Sequence, residues 1–88
     1  MATFHEKCAK AADLVVGEFS IERIDAGRSR IFINGVGSYL ELTDHYKHVG
    51  WRLMCTRSDS VLAVGEAGVS TDDIASVLSR IEPRQKVA

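Results

Sequence analysis

From Val49 to Cys55 the chain alternates without a break: Val49, Trp51, Leu53 and Cys55 fall on one side, and Arg52 and Met54, flanked by His48 and Thr56, on the other. A period of two does not fit a helix, whose same-face neighbours lie three and four residues apart; it demands a strand with one face against a core. A lone strand has nothing to bury that face against. The rest of the chain must therefore supply both a sheet and a layer to cover it.

The segments before it supply strands. Phe19 to Asp25 and Arg28 to Ile33 are short runs rich in β-branched residues, separated by Ala26-Gly27, which predicts a hairpin. Asn34-Gly35 follows, a dipeptide suited to a type I′ turn because both of its central residues take positive φ. With Ile33 and Val36 flanking that turn, Ile31 is expected opposite Ser38 and Ser29 opposite Leu40 on an aliphatic, core-directed side. Phe32 is then opposite Gly37, Arg30 opposite Tyr39 and Arg28 opposite Glu41 on an outward side. Leu42 to Lys47 reads as a polar crossing, Arg57 to Ser60 as a turn, Val61 to Gly65 as a short buried strand and Glu66 to Gly68 as a loop.

Helices close both ends. Thr3-Phe4-His5-Glu6 is a capping box, and Phe4, Cys8, Ala11, Ala12, Val15 and Phe19 follow at helical spacing until Gly17 ends the helix. Ser70 or Thr71 caps a second helix with a stripe of Ile74, Val77, Leu78 and Ile81, stopped by Pro83. The expected fold is α+β: an N-terminal helix, an antiparallel sheet of about four or five strands and a C-terminal helix, in a two-layer sandwich. The expected organisation is one domain over residues 1–83 and a flexible basic tail over 84–88.

Composition narrows the function classes. With 11 basic and 12 acidic residues and a pI near 6.3, the chain has no global field to draw nucleic acid or an anionic membrane surface. The start carries no basic segment followed by an apolar run, and the longest uninterrupted aliphatic stretch is Val61 to Val64. The expectation is a cytoplasmic protein, neither secreted through a signal peptide nor membrane-spanning. Cys8 and Cys55 are far apart and outside any Cys-x-x-Cys pattern, which suits two buried thiols and leaves a single bridge between them open.

Residues with chemical potential are scattered. His5-x-x-Cys8 and His45-x-x-His48 have the types that zinc prefers, yet Cys8 lies on the apolar helix stripe and the paired histidines in a polar segment. No metal and no cofactor are expected, and a small zinc-binding domain is an alternative reading. Asp44, His45 and the serines at 38, 58 and 60 hold the atoms of a hydrolytic triad without a nucleophile elbow. The stretch from Gly65 to Thr71 leads into a helix N-terminus, but it lacks the P-loop lysine, and Asp72 and Asp73 already occupy the first turn.

What is left is the outward sheet face: Arg28, Arg30, Phe32, Tyr39, Glu41, Arg52 and Met54, with His48 beside them. Arginine, aromatic side chains and methionine are enriched where proteins meet. The sequence thus suggests a non-catalytic protein-binding module: an adaptor, an assembly subunit, or a stoichiometric inhibitor of the kind carried by phages and mobile elements, anti-CRISPR proteins among them. Its partner would be a protein, including a second copy in a homodimer, and not a membrane. The runner-up is nucleic acid held by the same arginines and rings.

Overall fold

The computed structural model describes residues 3–16, 18–33 and 37–81. Helix α1 (Phe4–Val15) is followed by strands β1 (Phe19–Asp25), β2 (Arg28–Ile33), β3 (Ser38–Asp44), β4 (Val49–Cys55) and β5 (Val61–Ala67), then helix α2 (Thr71–Ile81). The strands pair antiparallel in the order β1-β2-β3-β4-β5, the simplest meander, so this is the expected α+β fold with the sheet at its full five strands.

Each helix begins on a reciprocal cap. The Thr3 hydroxyl accepts from the Glu6 amide at 3.1 Å while the Glu6 carboxylate accepts from the Thr3 amide at 3.0 Å. Ser70 and Asp73 do the same for α2, at 3.0 Å and 3.3 Å, so one of the two first-turn acids noted in the sequence belongs to the cap. Phe4, Cys8, Ala11 and Ala12 of α1 and Ile74, Val77 and Leu78 of α2 are buried, and the two helices lie against each other, α1 also over β1 and β2. The Lys7 ammonium donates to the Val69 carbonyl at 2.8 Å, fastening α1 to the segment that enters α2.

On the face that bears the helices, Ile21, Ile31, Leu40, Leu53 and Ala63 form one row across all five strands, and Ser29, Leu42, Trp51 and Gly65 form the next. Ile31, Leu40 and Leu42 are fully buried. Ser29 is too, and its hydroxyl is bonded to His5 Nδ1 at 3.1 Å, which removes the cost of a buried polar group. The Trp51 ring packs against the core and lies over Gly65, where any Cβ would overlap it.

Three expectations need correction. Ile31 lies opposite Leu40 rather than Ser38, and Arg30 opposite Glu41 rather than Tyr39, a register displaced by two residues. Because side chains repeat every two residues, each residue keeps its face, and the aliphatic row is completed where the two-residue turn would have broken it. The Asn34-Gly35 turn itself lies outside the described residues, as do Gly17, Pro83 and the basic tail. Leu42 to Lys47 is not a crossing: Leu42, Thr43 and Asp44 continue β3, pairing with Trp51, Gly50 and Val49, and only the following residues turn. The Val61 to Gly65 strand is not buried, since Val61, Leu62 and Val64 are 50%, 56% and 63% exposed. It is an edge strand, with β4 on one side and no strand among the described residues on the other.

Candidate binding face on the outer sheet

The opposite face of the sheet carries neither helix, and antiparallel pairing arranges its side chains in rows. Ser20, Phe32, Tyr39, Met54 and Val61 form one row from β1 to β5. Glu22, Arg30, Glu41, Arg52 and Val64 form the row beside it. Apolar and aromatic groups are thus collected in one line and alternating charges in the next.

Glu41 organises the charged row. It sits on the central strand, only 4% exposed, and its carboxylate accepts from Arg52 Nη2 at 2.6 Å and from Arg30 Nε at 3.3 Å. Burial alone would raise its pKa, but the hydrogen bonds from Arg52 and then Arg30 outweigh that and hold the carboxyl below its ordinary value. Arg30 in turn lies over the Tyr39 ring, its guanidinium carbon 5.5 Å from the centroid, while the Phe32 ring tilts against Tyr39 at 4.8 Å between centroids. These neighbours bury Tyr39 to 6% exposure. Its hydroxyl donates to the Asp59 carboxylate at 3.0 Å; burial first, and that bond second, keep its proton on more firmly than in a free tyrosine.

Of the seven residues singled out in the sequence, all lie on the outward side of the sheet, and Tyr39 and Glu41 are the two most buried within it. Arg28 is exposed and paired with Asp25 at 3.1 Å beside the β1–β2 turn. Arg52 is exposed, and Arg30, Phe32 and Met54 are half-buried. Beside Arg52 lies an open notch of about 450 Å³, lined among others by Thr43, His45, Gly50, Val64 and Glu66. His45 leans over Gly50, and His48 stacks on it at 4.9 Å with Nε2 3.4 Å from Glu66.

The zinc-type residues are divided between the two faces: His5 is engaged with Ser29 and Cys8 is buried in the core, while His45 and His48 stand on the outer side. Among the described residues no group of three or more His, Cys, Asp or Glu side chains is placed to hold a metal ion. Burial pushes the Cys8 thiol up to about 12. The Cys55 thiol is shifted the other way by hydrogen bonds from Ser58, and both cysteines are free. The hydrolytic atoms are spent locally, as Asp44 accepts from the Tyr46 amide at 2.8 Å and Ser58 is bonded to Ser60. The stretch after Gly65, expected as a loop, is strand as far as Ala67.

Two features escaped the sequence reading. Val61 and Val64 extend the outer rows onto an edge strand, where the apolar run alone suggests a core strand. Tyr46, at the tip of the β3–β4 hairpin, is 88% exposed with φ 70°, an aromatic in the left-handed region that Gly or Asn takes at lower cost. No protein-family model matches the chain, and neither a curated protein nor a solved structure matches it. No described helix is long and apolar enough to cross a membrane.

Proposed function

We propose that this protein is a small non-catalytic binding module whose outer sheet face docks onto a protein partner, acting as an adaptor, an assembly subunit or a stoichiometric inhibitor. The observation that carries this reading is the row Phe32, Tyr39, Met54 and Val61, an apolar line across four strands on the face away from both helices, bordered by ion-paired arginines. An apolar strip with a polar margin is the usual anatomy of a protein interface. Tyr39 and Phe32 brace one another, so the strip is rigid before it binds and loses little entropy on docking. The notch beside Arg52 gives an incoming side chain a seat.

Charge bookkeeping favours a protein over nucleic acid. Arg28 is paired with Asp25, and Arg30 and Arg52 share Glu41, so the arginines on which a phosphate backbone would depend already have anionic neighbours. Paired capture tests the proposal: wild-type protein and a Met54→Arg variant are used as baits in an extract of the natural host. A protein retained by the first and lost by the second supports it. Recovery of nucleic acid, or of the same proteins by both baits, refutes it.

A further inference from the structure

The two edges of the sheet are built differently. Both edge strands carry a bulge, but the β1 edge exposes Ser20, Glu22, Arg23 and Asp25, and charged side chains are a device that stops a strand from adding to an edge. The β5 edge has aliphatic residues from Val61 to Val64, all exposed, with no charge or proline between Ser60 and Glu66. A bulge places Leu62 outside the β4 ladder, but Leu62 remains in strand conformation and turns an apolar side chain to solvent at 56% exposure.

We infer that β5 is a self-association edge, pairing antiparallel with β5 of a second copy to join two sheets into one of ten strands. The occupant follows from the asymmetry of the edges. A head-to-tail contact would need β1, which is closed to strand addition, so between copies the open edge can meet only its own equivalent. Such a contact is isologous and ends at two subunits rather than growing into a fibre. An antiparallel pairing about a point within 61–65 sets aliphatic side chains beside aliphatic side chains, with no like charges opposed inside that stretch. The two-fold axis is then perpendicular to the sheet, so both helix pairs lie on one side and both outer faces on the other, their apolar rows approaching each other through Val61 and its copy.

The size of the contact sets its strength. Even with all seven residues of β5 paired, at about 3.3 Å each, the shared edge is at most roughly 23 Å long. Pairing over that length buries on the order of 1,000 Å² in total, near the lower boundary for specific interfaces. The dimer is therefore reversible and depends on concentration. The inference does not rest on the proposed partner for the outer face, since it concerns the edge of the sheet and a second copy of the same chain.

Sedimentation equilibrium of the full chain over a wide dilution series, with hydrogen exchange at a low and a high concentration, provides the test. The expected result is a monomer–dimer equilibrium in which amide protection rises with concentration within Val61–Ala67 and not in β1. A Leu62→Lys/Val64→Lys double variant should dimerise at least about tenfold more weakly, because like charges are brought together at the two-fold. Its circular dichroism should be unchanged, since both positions are exposed. If that variant fails to fold, the wild-type exchange pattern decides alone. A wild-type chain that stays monomeric at every concentration, a dimer whose protection falls outside β5, or a dimer undiminished in the folded double variant would each overturn the inference.

Discussion

Glu41, on the central strand, accepts a 2.6 Å hydrogen bond from Arg52 on the neighbouring strand while almost wholly buried beneath it. The same carboxylate holds Arg30 from the other side, so one buried acid fixes two outward guanidiniums. Glu41→Gln keeps the shape and removes the charge. It should cost about 1 to 3 kcal/mol of stability, the upper part of that range being discounted because the arginines are 36% and 51% exposed and screened by water. Chemical denaturation measures it.

The same site sets an acid dependence. Glu41 has its pKa lowered in the folded protein, because the two arginine hydrogen bonds outweigh the desolvation that would raise it. A group depressed on folding stabilises above its unfolded pKa, about 4.3 for glutamate, and that contribution is lost as pH falls through the folded value. The melting temperature of the wild type should therefore drop in acid more steeply than that of Glu41→Gln. Parallel curves for the two proteins would show that Glu41 is not the group responsible.

Trp51 and Gly65 face each other across β4 and β5, and a side chain at 65 would overlap the indole ring. Gly65→Val should destabilise the domain by about 1 to 3 kcal/mol, as overpacking does, and should change the tryptophan fluorescence because the ring must move. Trp51→Ala, in contrast, removes the ring and should cost about 3 to 5 kcal/mol. Thermal melts followed by circular dichroism compare the two without relying on the missing fluorophore.

The thiols should react unequally. Cys8 is fully buried with its pKa pushed up to about 12, whereas the Cys55 thiol is shifted down, chiefly by the hydrogen bond with Ser58. In a kinetic assay with a thiol reagent, one cysteine should react quickly and the other only at the rate of opening of the core. Ser58→Ala should slow the fast phase. A fast phase retained in Cys55→Ser would contradict the assignment.

The Tyr46 backbone separates stability from binding. Tyr46→Gly relieves the positive φ and should stabilise the hairpin or leave it neutral, within about 1 kcal/mol, since the ring is exposed and packs on little. A clear loss of stability by denaturation would mean that the ring supports the fold.

Much of the architecture was legible in the sequence because its signals were local and mutually consistent. The Thr3 cap, the Ser70 cap as one of two candidates beside Thr71, the helical stripe of Cys8, Ala11 and Ala12, and the alternation from Val49 to Cys55 each depend on near neighbours, and each agrees with the structure. The outward direction of Arg30, Phe32, Tyr39, Arg52 and Met54 was legible for the same reason, and it survived a register error because an even displacement preserves the face. What escaped was non-local. An apolar run such as Val61 to Val64 looks the same at the centre of a sheet and at its edge, and only strand order distinguishes them. Glu41 and Tyr39 read as exposed polar and aromatic residues, whereas their central position surrounds them with Arg30, Arg52 and Phe32.

The most direct measurement of the central claim is calorimetric titration of the captured partner against the wild type and the single variants Phe32→Ala, Met54→Ala and Arg52→Ala, each melted in parallel. The account predicts that at least one loses about 2 kcal/mol or more of binding free energy while its melting temperature stays within a few degrees of the wild type. Binding unchanged in all three variants, with loss confined to substitutions on the exposed sides of α1 or α2, would contradict it and move the interface to the helix layer.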